Sequence, residues 1–268
     1  LVHAEGLFNW DKAFVKFFEK INTKLLSGFD YRTYIIVPDG NYFINPKSNS
    51  NNLTYQKTGG FAQITKDLFV KKLSLGAALR IDKADYFEAK FTPQFTVVYS
   101  PKETLNFRTS YQNGYRFPSI FEGFSNVNSG GVKRVGGLRI MSDGIFENSY
   151  TKASIDKFQA QVNNDVNTLG ITQVAAIEKN KNTIQKNPYT YLEPEFVKSL
   201  EVGFRGMALN KNLFIDADFY YNSYKNFIAQ VEASIPNTND PNLIPTALYS
   251  KSTQNRYRLW TNSKSKIY

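Results

Sequence analysis

Across residues 88–100 the chain alternates. Odd positions carry Ala89, Phe91, Pro93, Phe95, Val97 and Tyr99, and even positions carry Glu88, Lys90, Thr92, Gln94, Thr96 and Ser100, with Val98 the exception. A period of two sends successive side chains to opposite faces of a strand, so this segment has one apolar and one polar face. The pattern recurs. Leu73, Leu75, Ala77, Leu79 and Ile81 oppose Ser74, Gly76, Arg80 and Asp82. Leu105, Phe107, Thr109, Tyr111 and Tyr115 oppose Asn106, Arg108, Ser110, Gln112 and Arg116. Leu200, Val202 and Phe204 oppose Ser199, Glu201, Gly203 and Arg205, and Leu213, Ile215, Ala217, Phe219 and Tyr221 oppose Asp216, Asp218 and Asn222. Weaker versions at 2–8, 25–36, 58–65 and 256–262 bring the expected total to about nine strands. Most are about ten residues or longer, the length of a tilted membrane-spanning strand. Pro93 has no amide hydrogen and predicts a bulge or local break.

The connections sort by parity. The first, third, fifth and seventh links are residues 9–23, 66–71, 101–104 and 208–211, and three of these four are tight. The second, fourth, sixth and eighth are residues 37–57, 83–86, 117–195 and 226–253, and three of these four are long. Short turns on one rim and long loops on the other form the anatomy of a transmembrane barrel. A soluble sandwich has no reason to sort its loops this way. The expected class is therefore all-β: an antiparallel transmembrane β-barrel segment over 1–268, with long extracellular loops. The longest, an insertion at 117–195, exceeds what a structureless loop sustains. Helices are expected there at 154–162 and 172–185, the second capped by Thr172. The Gly130-Gly131 to Gly136-Gly137 stretch reads as a flexible segment ahead of them. Link 9–23 carries Phe14, Val15, Phe17 and Phe18 among Lys12, Lys16 and Lys20, the mark of a short amphipathic helical turn.

Composition closes off other chemistries. The 268 residues contain no cysteine and one histidine, His3. Disulfides, Cys-ligated metal and thiol nucleophiles are excluded, and His clusters and a Ser-His-Asp triad have no material. The glycine stretch matches neither GxGxxG nor a P-loop. A calcium loop starting at Asp165 would need ligands at Leu169 and Ala176, so that register fails. The pairs Asp216/Asp218 and Glu193/Glu195 share a strand face without a defined cleft. No enzyme activity, metal or cofactor is expected. The net charge is +10, but Lys and Arg are scattered without a dominant cluster, which argues against nucleic acid. Aromatics reach 15%, and lipid contact explains them best. Tyr31, Tyr34, Tyr99, Tyr111, Tyr115, Tyr220, Tyr221 and Tyr224 suit interfacial girdles. The chain opens mid-pattern at Leu1-Val2-His3 and stops mid-pattern at Ser265-Lys266-Ile267-Tyr268, and so reads as an excerpt of a longer polypeptide.

Two segments carry a family resemblance. Phe107-Arg108-Thr109-Ser110-Tyr111-Gln112-Asn113-Gly114-Tyr115-Arg116-Phe117-Pro118-Ser119 resembles the strand-to-loop segment R-x-S-Y-x-x-G-[FY]-R-x-P-[ST] of TonB-dependent outer-membrane receptors. Tyr191-Leu192-Glu193-Pro194-Glu195 followed by Ser199 to Gly206 is similar to the L-x-P-E segment that opens a later barrel strand in that family. The resemblance implies a piece of a barrel of about 22 strands around an N-terminal plug that has no match in this chain. It implies uptake of a scarce ligand across a Gram-negative outer membrane: a siderophore, cobalamin, a glycan or similar. The implied partners are outer-membrane lipid, the chain's own plug, the TonB–ExbB–ExbD complex acting through that plug, and a surface lipoprotein. Arg80, Arg108, Arg205, Asp216 and Asp218 would face the lumen and plug, with Glu88, Asp216 and Glu201 as candidate carboxylate partners. Phe121, Phe124, Tyr189, Tyr191 and Arg116 are the candidate ligand contacts, because loops on a rigid scaffold carry recognition. Packing inside an ordered loop is the competing role for these aromatics. The rival functions are a passive porin or adhesin barrel and a soluble carbohydrate-binding sandwich.

Overall fold

The computed structural model describes residues 1–48 and 51–264, so the closing Ser265-Lys266-Ile267-Tyr268 lies outside the described residues. The chain runs through β1 (Val2–Asn9), α1 (Trp10–Ala13), α2 (Val15–Lys20), β2 (Thr23–Ile36), β3 (Leu53–Leu68), β4 (Leu73–Ala84), β5 (Lys90–Lys102) and β6 (Leu105–Arg116). There follow α3 (Ile120–Phe124), β7 (Asn126–Ser129), β8 (Val132–Val135), α4 (Arg139–Ser142), α5 (Ile145–Asn148), β9 (Tyr150–Thr151), α6 (Lys152–Leu169) and α7 (Gln173–Asn180). It ends with β10 (Glu195–Ala208), β11 (Leu213–Lys225), β12 (Ile228–Pro236), α8 (Ile244–Tyr249) and β13 (Gln254–Asn262).

The long alternating runs build one antiparallel sheet, the wall, in the order β1-β2-β3-β4-β5-β6-β10-β11. Both edges are unpaired among the described residues, so the sheet is open. Residues directly opposite one another share a face, and the register therefore sorts the side chains. Ala77, Phe95, Tyr111, Leu200 and Tyr221 form one such row. Phe95 is 53%, Leu200 42% and Tyr221 47% exposed, so the apolar face lies open. The opposite face carries the charged residues. Pro93 causes no break. It opposes Leu79 on β4, while the β5–β6 ladder starts only at Gln94, so its missing donor costs no pairing. The irregularity in β5 falls instead between Tyr99 and Lys102.

The tight turns and the α1–α2 link share one rim. At the other rim the chain leaves the wall after β6, returns at β10 and then pairs β10 directly with β6. Its excursion, together with β12 and β13, forms a second sheet in the order β7-β8-β13-β12-β9, with β8 and β13 parallel. The ninth strand expected at 256–262 thus belongs to this cap and not to the wall. The link expected at 226–253 contains β12 and α8. Asn226, in the left-handed region at φ 57°, redirects the chain as it leaves β11.

The cap closes over the charged-face side of the wall. Tyr55 lies two positions along β3 from Lys57, in the same alternation as Gly59 and Phe61, and Phe61 opposes Arg80. Near the rim this face turns apolar. Ile36, Leu53, Tyr55 and Ala84 are buried against Phe124, Val135, Leu138, Ala233 and Leu259 of the cap. Tyr34 stacks on Tyr55 at 6.1 Å and belongs to this packing, not to an outward girdle. Gly136 and Gly137 are buried here, and a Cβ on Gly137 would collide with the Trp260 carbonyl. That pair is a close-packing point rather than a flexible linker. Gly130 and Gly131 make the left-handed turn of the β7–β8 hairpin, at φ 56° and 75°.

Helices form in both expected places, but α6 runs on to Leu169 and α7 stops at Asn180, followed by a 3-10 turn over Lys181–Thr183. Thr172 caps α7, its hydroxyl accepting from the Ala175 amide at 3.3 Å. Phe158, Val162 and Ala176 bury the α6–α7 seam completely. The α1–α2 link is helical and buries Phe18.

Candidate functional site

Two charged clusters occupy the wall's polar face, each beside a glycine. Arg80 donates to Asp82 at 2.6 and 2.8 Å and also reaches Asp30. Gly59 opposes both Asp30 and Asp82, and a Cβ there would meet the Arg80 guanidinium. Arg108 pairs with Asp218 and lies 3.2 Å from Asp216, which Arg205 holds at 2.7 Å. Glu201 is 3.8 Å from Arg108. Gly203 opposes both Arg108 and Asp218 and gives the arginine room to cross the strand. Arg80, Arg108, Arg205, Asp216 and Asp218 are thus mutually satisfied within the wall. Of the expected partners, Asp216 and Glu201 take part and Glu88 forms no ion pair among the described residues. Tyr115 lies with Arg80, Asp82 and Gln94 around a groove of about 360 Å³.

Arg116 sits where the chain leaves the wall. Its guanidinium holds Glu122 of α3 through two bonds of 3.0 and 3.1 Å, and its Nε donates to Glu195, the first residue of β10. Glu122 also closes a capping box with Ser119, and Glu195 accepts from the Ile228 amide at 2.7 Å. One guanidinium therefore ties together β6, α3, β10 and, through Glu195, β12. Burial pushes the Glu122 carboxyl up, but the bonds from Arg116 and Ser119 outweigh it and hold the group below its usual range. Arg116, expected as a ligand contact, also clasps the neck of the cap through these two carboxylates.

The candidate aromatics separate. Phe124 is fully buried between Tyr55 and Tyr86, so it offers no surface to a ligand. Phe121 is half-buried, edge-on to Phe43 and Trp260 at 6.4 Å each. Tyr191 packs on Phe146 at 5.3 Å, lies under the Arg139 guanidinium at 4.9 Å and donates to Glu147 at 2.5 Å. Only Tyr189 and Tyr191 meet, along a groove of about 490 Å³ between residues 188–193 and the ends of β11 and β13. Lys225, Asn226, Thr261, Asn262 and Lys264 complete it. The Lys264 ammonium lies 5.7 Å from the Tyr189 ring. Asn262 fixes the floor, donating to the Glu193 backbone carbonyl at 2.9 Å and accepting from the Glu193 amide at 2.6 Å. Those lining residues come from segments far apart in sequence, and no local motif marked them.

The geometry is that of a strand wall with an exposed apolar face, a charged opposite face and an α/β cap at one rim. The sequence profile of the family described as TonB dependent receptor-like, beta-barrel matches residues 4–267. The chain belongs to this receptor family. Such receptors are transporters, not enzymes. Among solved receptors, the chain is similar to a mutant of the ferric enterobactin receptor PfeA from Pseudomonas aeruginosa. The TM-score is 0.54 at 14% identity, covering 97% of this chain and 30% of that one. It is also similar to the hemophore receptor HasR of Serratia marcescens, solved with its hemophore HasA and heme. There the TM-score is 0.50 at 13% identity, covering 99% of this chain and 37% of that one. No curated protein matches the chain. At these identities the likeness is one of fold, and the chain spans about a third of each receptor's length.

Proposed function

We propose that the chain is part of the wall and mouth of an outer-membrane receptor that imports a scarce ligand with energy delivered by TonB. One observation carries this reading: the two faces of a single antiparallel sheet are sorted into an exposed apolar surface and an ion-paired polar one. Lipid satisfies the first, and a lumen around a plug satisfies the second. The tight-turn rim is then periplasmic and the cap extracellular, with residues 117–195 as a loop insertion within the barrel.

The groove at Tyr189, Tyr191, Lys225 and Lys264 is the proposed ligand contact. Its aromatic rings offer flat apolar surface, and its two ammonium groups, which outnumber the single Glu193 carboxylate, favour an acidic or acceptor-rich cargo. The resemblance to receptors for ferric enterobactin and for a heme carrier supports an iron-bearing cargo and leaves cobalamin and glycans as further candidates.

Ferric enterobactin and heme serve as probes for uptake by cells making the full-length receptor. Saturable uptake that stops when TonB is removed is the expected result, with binding weakened about ten-fold by Tyr189→Ala together with Lys264→Ala. Uptake of each probe that rises linearly with concentration and ignores TonB would instead mark a passive porin. A full-length protein that stays folded and dispersed without detergent would contradict the membrane reading and favour a soluble sandwich.

A further inference from the structure

The tight-turn rim concentrates unpaired positive charge. Lys12, Lys16 and Lys20 stand on the α1–α2 link, Lys71 and Lys72 on the β3–β4 turn, and Lys102 and Lys211 at the other two turns, all exposed. None of these seven forms an ion pair among the described residues. The carboxylates of the same rim are fewer: Asp11, which accepts from the Leu25 amide at 3.2 Å, Glu19, Asp67 and Glu103. Asp11, Glu19 and Asp67 share a groove with Lys12 and Lys71, and the lysines outnumber them around the rim as a whole.

The same rim exposes large apolar side chains. Phe14 is 54%, Phe17 60%, Phe69 73%, Val70 98% and Leu209 72% exposed. Of these, Phe14 is continuous with the wall's apolar face. Phe8 opposes Ser27 on that face, Trp10 stands edge-on to Phe8 at 4.7 Å and donates to the Ser27 hydroxyl at 2.9 Å, and Phe14 stacks on Trp10 at 6.1 Å. A ladder of rings thus climbs from the wall onto the helical link and ends among lysines. Aromatics at the acyl boundary with ammonium groups just outside it match the layering of a phospholipid leaflet. The sign of the charge selects an anionic one.

We propose that this rim is a binding collar for anionic phospholipid headgroups, with Trp10, Phe14 and Phe17 at the acyl boundary and the lysines on phosphates. The proposal rests on the membrane reading above and adds a lipid preference to it. It also assigns a role to part of the +10 charge.

The test uses the full-length receptor in nanodiscs of equimolar phosphatidylglycerol and phosphatidylcholine. Lipids retained on release from the disc are counted by native mass spectrometry. Phosphatidylglycerol is expected to be enriched, and Lys12→Gln/Lys16→Gln/Lys20→Gln to reduce that enrichment about ten-fold or more. High salt in the release buffer is expected to weaken it in the wild type. A control at the cap, Lys157→Gln/Lys251→Gln, is expected to leave it unchanged. Equal retention of the two lipids by the wild type, or enrichment that survives the triple substitution, overturns the collar while leaving an inserted barrel intact. A receptor that fails to enter the bilayer at all overturns both readings.

Discussion

Phe95 in the wall and Phe124 in the cap place one residue type in opposite surroundings. Phe95 is 53% exposed in a row of apolar neighbours, whereas Phe124 is fully buried among Tyr55, Tyr86 and the cap core. The wall has one apolar face turned outward and needs a second solvent to cover it. The cap covers its own apolar groups and borrows the rim of the wall to do so. The two regions therefore differ in kind: the wall is an open sheet with one uncovered apolar face, and the cap is a packed core of its own. Arg116 marks the boundary, clasping both the outgoing and the returning strand.

The largest effect that separates the regions is expected from Phe124→Ala. Emptying this site should cost about 3–5 kcal/mol. Hydrogen exchange should show the cap opening while β4, β5 and β6 stay protected. Equal loosening of wall and cap would mean that they are one cooperative unit. In the wall, Phe95→Arg is expected to cost about 2–4 kcal/mol in a bilayer, measured by reversible unfolding of the full-length receptor from vesicles. The neighbouring Gln94→Arg, on the charged face, should cost much less. Similar costs would remove the distinction between the faces. Gly203→Val is next, at about 1–3 kcal/mol, because its branched side chain would occupy the space that Arg108 uses to reach Asp218. Gly203→Ala should cost less in the same unfolding assay.

The smallest effect is the response to pH. The Asn180 amide, followed by Lys179, holds the Asp165 carboxyl below its usual range, and Glu122 is held down at the neck. Depressed carboxyls stabilise the fold above their unfolded values and lose that contribution as pH falls through their folded ones. Stability of the cap should be flat from pH 8 to about 5 and decline below about pH 4.5. Asp165→Asn should flatten part of that decline.

The wall was legible in the sequence because each of its strands except at the β6–β10 junction pairs with its chain neighbour. Period two, strand length and loop parity are all local signals. Thr172 was legible as a cap for the same reason. The cap sheet was not, since it joins residues 126–135, 150–151, 228–236 and 254–262, and its parallel β8–β13 pairing leaves no local trace. Tyr34 shows the limit of alternation. It lies on a strand near the rim like the outward tyrosines, but the cap arriving from afar turned its face of the wall into core. The same long-range packing made Gly137 a contact point and Phe124 a buried anchor. The groove at Tyr189 needed Lys264 and Asn262 to be brought in from the end of β13.

The outward face of the wall can be probed position by position. The chain has no cysteine, so single cysteines at Gln94, Phe95, Thr96, Val97, Val98 and Tyr99 can each carry a fluorophore in the full-length receptor once any other cysteines are replaced. Quenching by lipid-borne and by water-soluble quenchers is then compared in vesicles. Lipid-borne quenching that is strong at 95, 97 and 99 and weak at 94, 96 and 98 is the expected result. Quenching without alternation, or with water reaching the odd positions first, would contradict a lipid-facing wall.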